Sequence, residues 1–474
     1  MPITKDIHSP VSQHGAQHGV PSAARRLTVG FVGFGEVNTP RSLIESKCNA
    51  ALSALGALDI SIVSTDPVRD DPEGHDCARA IRELSVLRLD TLVVCIAGWI
   101  PSQTVINVIS EFQHLPMMLW GLAGHYEQGR LITTADQAGT SAIRKTLQDL
   151  GYQFRFVFNS PGKPPKLEPI SDFMRSVSAA RLLQGAKIGM MGYRDMKLYA
   201  TLHDGVSLKK ALGVEIEIFE MLEMVQRLED VCMSDVHAIV RQLPVRWKFE
   251  AEASPATLEK SVRCFLALKS IIVERKYSAV SLNDVDGMKK LLNLPPAMVF
   301  MLIADELNLP TIPENDCLGS VTQLMVRALT GQPAPYFEFY EFMEDRVLVG
   351  VPDFVPSAVV EGGVRVRPTR FGGFAEGILN VSRVRTGPVT LVRLLAEGNG
   401  YALHCVTGTA VPASPWEEAG WQPPAPQLPG LEVILDSPVE EFAERVAAQH
   451  YVLAYGDISQ VLREFCRLKS ISII

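Results

Sequence analysis

The chain has little of what marks a membrane protein, a disulfide-stapled secreted protein or a nucleic-acid-binding protein. No segment approaches the roughly 18 consecutive apolar residues of a membrane-spanning helix. The eight cysteines stand singly, without a C-x-x-C pair, which predicts reduced thiols and a cytoplasmic location. Acidic residues (53) outnumber basic residues (45), and the resulting net charge of −8 argues against nucleic acid or an anionic membrane as partner.

The amino-terminal segment also lacks the apolar core of a signal peptide. Residues 1–26 are polar and are predicted to form a disordered tail. The remaining length exceeds one typical domain, and the hydrophobic content of 47% is sufficient for substantial cores. Two or three globular domains are therefore expected.

From residue 27 onward, buried-type strands alternate with helical segments. Strands are predicted at 27–32, 59–63, 91–97, 187–192 and 214–219, and helices at 41–56, 220–230 and 255–275. After residue 345 short strands, glycines and prolines dominate. The predicted fold class is two doubly wound α/β domains, at 27–168 and 169–345, followed by a β-rich carboxy-terminal domain at 346–474.

The most informative stretch begins at Glu314-Asn315-Asp316 and ends near Glu338. A helix with an apolar stripe follows Asp316, and Gly331 and Pro333 predict its end. An extended segment precedes Glu314, and an aromatic strand contains Glu338, so the pattern predicts a strand–helix–strand unit. In a parallel sheet such a crossover returns both strand ends to one edge, where the two carboxylates would converge. Solvated loop acids are the alternative interpretation.

A second informative stretch lies near the carboxyl end. Ser437-Pro438-Val439-Glu440 has the sequence of a helix start with a capping box. Gln449-His450-Tyr451 through Tyr455-Gly456-Asp457 then leaves that helix as a strand. From its position alone, a histidine at such a junction is more often structural than a ligand.

Both stretches resemble motifs of the L-fucose and L-arabinose isomerase family. Glu314-Asn315-Asp316-Cys317-Leu318 through Leu329-Thr330-Gly331 resembles Glu-Asn-Asp-x-Leu followed by Leu-Thr-Gly, and 449–457 resembles His-His-Tyr-Val-x-x-Tyr-Gly-Asp. The resemblance implies three metal ligands, Glu314, Glu338 and His450, and Mn²⁺ as metal, with other divalent cations as alternatives. Glu338 replaces the family's aspartate, and Gln449 replaces its first histidine.

The same resemblance implies that Arg41, Trp99 and, more weakly, Trp421 bind a sugar. Indole faces suit the C–H surface of a sugar, and a guanidinium offers fixed donors to hydroxyl groups. A solvated helix-start charge remains the alternative for Arg41, and a half-buried core residue the alternative for Trp99. Tyr336 and Tyr340 alternate with Glu338 along one strand face, so their hydroxyls would orient Glu338 or substrate, or would pack. Asp316, Cys317 and His404 are predicted to be structural.

The predicted activity is that of an aldose–ketose isomerase acting through an enediolate on a pentose, deoxy-hexose or modified hexose. Glu314 and Glu338 would be the catalytic carboxylates. The resemblance further implies a homo-oligomer, a hexamer in the family, in which the first domain of a neighbouring subunit completes the sugar site. Two segments, 281–284 and 349–351, depart from the family pattern close to where substrate would lie.

Three alternatives follow from other features. Gly30-x-x-Gly33-x-Gly35 after the first strand has spacing unlike G-x-G-x-x-G, which leaves an NAD-dependent sugar oxidoreductase as the rival enzyme. A non-catalytic sugar-binding protein derived from an isomerase is the other rival. An arginine-rich run predicts interface contacts, solvated charge or recognition of an anionic sugar such as a sulfonated hexose. The run comprises Arg365, Arg367, Arg370, Arg383 and Arg385.

Overall fold

The structure is a computed structural model of the chain. It describes residues 26–351, 355–370, 373, 376–418, 425–426 and 429–474. The predicted amino-terminal tail, apart from Arg26, and Trp421 lie outside the described residues. Among the helices of these ranges, none is long and apolar enough to cross a membrane.

The first unit is a five-stranded parallel sheet with helices around it. Its strand order is β2-β1-β3-β4-β7, so the chain reverses direction across the sheet between β1 and β3. The elements are β1 (Leu27–Phe34), α1 (Arg41–Leu55), β2 (Ile60–Ser64), α2 (His75–Leu84), β3 (Thr91–Ile96), α3 (Ser102–Ile109), β4 (Met117–Gly121), β5 (His125–Glu127), β6 (Arg130–Ile132), α4 (Asp136–Asp149) and β7 (Phe154–Phe158). The predicted strands and helix of this region are confirmed.

Two glycines of the first strand have a packing role in this unit. A Cβ on Gly30 would lie 2.6 Å from a methyl carbon of Leu89, and one on Gly33 would lie 2.3 Å from the sulfur of Cys48. Both positions belong to β1 itself rather than to the turn that precedes α1. Close packing of β1 against neighbouring side chains therefore accounts for these two glycines of the motif that raised the dinucleotide alternative.

The second unit contains a four-stranded parallel sheet of order β12-β11-β8-β9. Its elements are α5 (Leu167–Gln184), β8 (Lys187–Met191), α6 (Gly205–Leu212), β9 (Glu215–Phe219), α7 (Met221–Arg227), α8 (Met233–Arg246), β10 (Lys248–Phe249), α9 (Pro255–Arg275), β11 (Ala279–Leu282), α10 (Ala297–Leu307), β12 (Thr311–Pro313) and α11 (Cys317–Thr330). Helix α11 ends as predicted, because Gly331 adopts a left-handed conformation with φ 68° and caps it.

The carboxy-terminal part is rich in strands. They are β13 (Tyr336–Phe342), β14 (Arg346–Gly350), β15 (Val360–Glu361), β16 (Arg365–Arg370), β17 (Glu376–Asn380), β18 (Arg383–Val384), β19 (Gly387–Glu397), β20 (Gly400–Pro412), β21 (Glu417–Glu418), β22 (Ala425–Pro426), β23 (Gly430–Leu435), β24 (His450–Tyr455) and β25 (Ser472–Ile473), with helices α12 (Val439–Arg445) and α13 (Ser459–Lys469). One sheet has the order β19-β24-β13-β14-β23-β20-β25, and pairing of β19 with β20 closes it. It is called the closed sheet below.

The architecture confirms α/β units followed by a β-rich end, but one predicted feature is wrong. β12, α11 and β13 do not form a parallel strand–helix–strand unit, because β13 pairs antiparallel with β14 and β24 in the closed sheet. β13 thus joins the strands beyond residue 346, where the β-rich domain was predicted to begin. Two glutamates, Glu338 and Glu341, and the partial or full exposure of β13 from residue 338 onward do not suit a strand buried on both faces of a parallel sheet.

Candidate metal centre

The first element of the site is the loop that joins β12 to α11. Glu314 and Asn315 have φ values of 63° and 51°, a left-handed conformation that side chains other than glycine rarely adopt. Such residues cost on the order of 1–3 kcal/mol each and persist where neighbouring contacts hold them. The buried Asn315 supplies those contacts, because its side-chain amide donates to the carbonyls of Met191 (2.8 Å) and Tyr193 (2.5 Å). The strained loop directs Glu314 to the carboxyl edge of the second sheet.

The second element is a pair of neighbouring strands in the closed sheet. Glu338 on β13 and His450 on β24 are direct cross-strand partners. Side chains of such partners extend from the same face of a sheet with their Cβ atoms roughly 5 Å apart. The register of two antiparallel strands therefore fixes this carboxylate and imidazole beside each other, although 112 residues separate them in sequence.

The two elements converge. His450 Nε2 lies 3.0 Å from Glu338 Oε1 and 3.7 Å from Glu314 Oε2. One ligand atom from each of the three residues lies within 4.8 Å of the other two. His450 is 1% exposed and the Glu338 side chain 22%, so the cluster is buried on one side and reachable on the other. The structure thus brings together the three residues named as ligands by the sequence.

Hydrogen bonds tie this cluster to further side chains. His450 Nδ1 lies 3.0 Å from Asp316 Oδ2, and Arg393 forms a fork to both oxygens of Asp316 at 2.6 and 2.9 Å. Gln449 Nε2 donates to Glu314 Oε2 at 3.0 Å. Burial alone would raise the pKa of Asp316, but the charge of Arg393 and the hydrogen bond to His450 hold it below its usual range.

The charges of the cluster fit a divalent cation. Burial alone would lower the pKa of His450, but its hydrogen bonds to Asp316 and Glu338 and the nearby charge of Glu314 raise it to about 10. A cation that binds Nε2 would displace the imidazole proton, and three carboxylates would then face one guanidinium, which leaves two negative charges in a buried place. Carboxylate and imidazole donors together suit Mn²⁺. These residues therefore fit the metal that the family resemblance implies.

An aromatic surface adjoins Glu338. Glu338 pairs with Gly350 on β14, so the position of a Gly350 side chain would neighbour that of Glu338 on one face. A Cβ there would meet the Tyr340 ring at 2.8 Å and the Trp416 ring at 2.9 Å, so both rings lie over this glycine. The two ring centroids are 4.6 Å apart. Tyr336 borders the centre at another point, because its buried ring packs edge-on against His450 with 5.3 Å between centroids.

Arg41 and Trp99 lie at the carboxyl edge of the first sheet and not at the metal centre. Both flank the point where strand order reverses, since Arg41 opens α1 after β1 and Trp99 follows β3. Arg41 pairs with Glu45 and Asp66. The first unit contacts the rest of the chain near its opposite edge, where Arg181 binds Asp90 at 3.0 Å just before β3. The length of β3, about 20 Å, separates the two edges.

The arginine-rich run has other contacts. Arg365 forms an ion pair with Glu250, and the Arg385 guanidinium lies 3.9 Å from the centroid of the Tyr455 ring. Tyr455 is at the opposite end of β24 from His450, a distance of about 17 Å along a strand. Neither arginine is thereby brought to the metal centre.

Sequence analysis gave no site role to three residues that lie at or beside the centre. Asp316 was predicted to be structural, although it contacts His450, and Gln449 was treated only as a substitution. Trp416 received no role, because it lies in the connection between β20 and β21 and reaches Gly350 only through tertiary packing. A signal existed for Asp316, which lies two residues from Glu314 within the same motif. Cys317 is buried at the start of α11, and His404 is buried with its Nδ1 2.7 Å from the Tyr451 hydroxyl.

The fold and the centre together define a class of protein in which α/β units are followed by a closed sheet. Two glutamates and a histidine converge where the second α/β unit meets that sheet. Comparison with known proteins finds similarity to sugar isomerases, and this confirms the resemblance indicated by the motifs. The chain is 20% identical over 371 residues to sulfoquinovose isomerase of Alkalicoccus urumqiensis, covering 76% of this chain and 80% of the relative. Sulfoquinovose isomerase of Priestia aryabhattai is 21% identical over 396 residues, covering 80% and 84%.

A further relative has a different named substrate. L-arabinose isomerase of a Nocardioides species is 24% identical over 287 residues, which cover 56% of each chain. No protein-family profile matches the chain. The similarity therefore extends over most of the chain at low identity, and the named relatives act on a sulfonated sugar and on a neutral one.

Proposed function

We propose that this protein is a metal-dependent aldose–ketose isomerase. The observation that carries the proposal is the convergence of Glu314, Glu338 and His450, whose ligand atoms lie within 4.8 Å of one another. Similarity to sugar isomerases over most of the chain supports the same reaction class. The glycines of β1 have a packing role, so they give the oxidoreductase alternative no separate support.

Glu314, Glu338 and His450 would hold Mn²⁺ or another divalent cation. When bound, the cation would supply positive charge to two adjacent sugar oxygens and so lower the barrier to removal of the proton at C2. His450 would contribute a nitrogen donor through Nε2 once its proton is displaced, and Glu314 is held in place by Gln449. Their burial keeps these donors in position before substrate arrives.

The two glutamates would also move protons. Isomerisation transfers the proton from C2 to C1 and a second proton between the two oxygens, so both a base and a relay are needed. Glu338 is the more exposed of the two, with 22% of its side chain accessible against 11% for Glu314. Glu338 therefore faces the open side of the centre, where the sugar carbons would lie, and we assign it to the C2 proton.

The body of the sugar would lie against Tyr340 and Trp416. These rings cover Gly350, which neighbours Glu338 on the sheet face, so they adjoin the place where the reacting carbons would sit. The buried indole nitrogen of Trp416 does not reach solvent, so the residue offers ring surface rather than a hydrogen-bond donor. Ring surface suits the C–H face of a sugar.

The loop between β8 and α6 supports an anionic substrate as one specific candidate. This loop adjoins the centre, because Asn315 binds the carbonyl of Tyr193 and Arg393 approaches the carbonyl of Ala200 at 3.4 Å. It carries two cations, Arg194 and Lys197. A sulfonate, which the named substrate of two relatives bears, would find charge partners there.

Metal removal and restoration test the reaction. Protein treated with chelator should lose the conversion of aldose to ketose and regain it on addition of Mn²⁺. The sugars to screen are neutral pentoses, deoxy-hexoses and sulfonated hexoses. Nicotinamide absorbance changes without ketose formation would instead favour an oxidoreductase. Sugar binding without turnover at saturating Mn²⁺ would favour a non-catalytic binding protein.

Removal of positive charge from the loop between β8 and α6 tests whether the substrate is anionic or neutral. Arg194→Gln combined with Lys197→Gln should raise KM for a sulfonated sugar while leaving KM for a neutral sugar nearly unchanged. Arg365→Gln is the matched control, since that arginine is bound to Glu250 instead. Equal effects on both kinds of sugar would contradict recognition of the anion by this loop.

We further propose that the sugar site is completed by a second copy of the chain. Arg41 and Trp99 are exposed at the free carboxyl edge of the first sheet, a location that favours ligand binding in α/β folds. Within one chain their contacts stay in the first unit. A neighbouring subunit could present this edge to the metal centre, as the hexameric family members do.

A further inference from the structure

We propose that Asp316, held by Arg393, is a positioning residue that orients His450 as a metal ligand. The affinity of the centre for a metal ion would then depend on the buried ion pair of Asp316 and Arg393, neither of which binds the metal. This inference rests on the proposed function only in taking Glu314, Glu338 and His450 as the ligand set.

The geometry around the imidazole supports this role. Asp316 Oδ2 and Glu338 Oε1 each lie 3.0 Å from a ring nitrogen of His450, the former at Nδ1 and the latter at Nε2. A carboxylate at Nδ1 favours the tautomer that carries its hydrogen there. The lone pair of Nε2 is then directed toward Glu314 and Glu338. The ring cannot rotate out of this plane without breaking a hydrogen bond inside the protein.

Arg393 holds the carboxylate of Asp316, which in turn orients the imidazole of His450. Its fork binds both oxygens of Asp316, and its Nη1 also lies 3.3 Å from the carbonyl oxygen of His450. Both members of the pair are almost fully buried, with 2% and 1% of their side chains exposed. The planar fork leaves Asp316 one orientation, which a lysine could not impose.

The start of α11 is built to admit this pair. Asp316 caps the helix by accepting from the amide of Gly319 at 3.0 Å. A Cβ on Gly319 would lie 2.6 Å from Asp316 Oδ2 and 2.8 Å from Arg393 Nη1, so the contact requires a glycine. Gly319→Ala is therefore a mild way to displace the pair without removing a charge.

A purely structural ion pair would not discriminate between metals. Its loss would destabilise the fold and weaken every cation to a similar degree. A residue that acts through an imidazole should matter most for metals that favour nitrogen donors, such as Ni²⁺, and least for Mg²⁺, which favours oxygen donors. The ratio of Ni²⁺ to Mg²⁺ affinity therefore separates the two roles without any activity measurement.

The experiment is calorimetric titration of the full chain with Ni²⁺, Mn²⁺ and Mg²⁺, with His450→Ala giving the background from other sites. Asp316→Asn should weaken Ni²⁺ binding by about 10- to 100-fold and Mg²⁺ binding clearly less. Arg393→Lys and Gly319→Ala should shift the ratio in the same direction. Asp136→Asn is the matched control, since Asp136 is equally buried in an ion pair with Lys47 in the first unit; it should leave the ratio unchanged.

Two results would overturn the inference: unchanged affinities in the folded variants, or a loss that is equal for all three cations. Arg393→Lys and Gly319→Ala keep the test decisive if Asp316→Asn does not fold. Failure of the wild-type chain to bind any of the cations above the His450→Ala background would instead refute the proposed metal centre. The failure of the inference and that of the proposed function are therefore distinguishable.

Discussion

The metal centre and the carboxyl edge of the first sheet differ in how completely one chain builds them. At the metal centre, buried charges from four distant segments contact one another: Glu314 and Asp316, Glu338, Arg393, and His450. At the edge of the first sheet, Arg41 pairs with Glu45, four residues along the same helix, and Trp99 is 40% exposed. The metal centre is therefore assembled by tertiary contacts, whereas the edge of the first sheet is an open surface.

This difference in burial and contacts indicates what the metal centre and the edge of the first sheet can each do without a partner subunit. Buried, mutually bonded ligands keep their geometry without a partner, so a single chain should bind metal. Exposed side chains with local contacts gain a fixed role only when something else covers them. Metal binding and sugar binding should therefore respond to different changes, and the predictions below test this separation in order of expected effect.

The largest effect is expected from the ligands themselves. Glu338→Gln removes both a donor and the proposed base, so turnover should fall by about 10²- to 10⁴-fold. His450→Ala should lose most bound Mn²⁺ as well, and both variants should remain folded by circular dichroism. Metal content by elemental analysis and ketose formation are the measurements. Full metal content and full rate in His450→Ala would exclude this histidine as a ligand.

A recovery of activity on mixing is the next largest effect expected. Arg41→Ala/Trp99→Ala keeps the metal centre but loses the first-unit edge, whereas Glu314→Gln keeps that edge but loses a ligand. If subunits share sites, mixed oligomers contain some sites with both parts intact, so activity should return. Wild-type activity should also fall on dilution as the oligomer dissociates. No recovery, with subunit exchange demonstrated by labelled chains, would mean that each chain completes its own site.

The two places also differ in how far sequence could predict them. α11 was predictable from its apolar stripe and from Gly331, and the ligands came from motif resemblance. The sheet of β13 was predicted wrongly, since its partners β14 and β24 are specified by tertiary packing rather than by the neighbouring β12. Arg393 lies 77 residues from Asp316, and no local pattern joins them. Gly350 is placed beside Glu338 by strand register, and Trp416 is brought over Gly350 by tertiary packing.

A moderate effect is expected at the aromatic surface beside Glu338. Trp416→Ala removes ring surface worth about 0.5–1.5 kcal/mol, so KM for the sugar should rise roughly 2- to 10-fold while kcat and metal content change little. Phe342→Ala is the matched control, because Phe342 is on the same strand as Glu338 but pairs with Val347 and packs on Phe339, away from Gly350. Equal changes in the two variants would show a general effect on β13 rather than contact with substrate.

The smallest effect on activity is expected for His404, which affects the stability of the closed sheet in acid and should leave activity at neutral pH unchanged. Burial, aided by the charge of Arg445, lowers the pKa of His404 from 6.5 to about 4, and its Nδ1 lies 2.7 Å from the Tyr451 hydroxyl. Because the unfolded chain binds this proton more tightly, His404 stabilises the fold above about pH 6.5, and this stability is lost as pH falls toward 4. The loss reaches at most about 3 kcal/mol.

His404→Gln keeps a polar side chain at this position but cannot titrate, so its stability should depend less on pH between 6.5 and 4 than that of the wild type. The urea midpoint, followed by circular dichroism at several pH values, is the measurement. His114→Gln, which changes an exposed histidine of the first unit, is the control and should follow the wild-type profile. Parallel profiles for His404→Gln and the wild type would show that His404 does not contribute to acid sensitivity. A flatter profile confined to His404→Gln would place that part of the acid sensitivity in the closed sheet, which carries two of the proposed ligands.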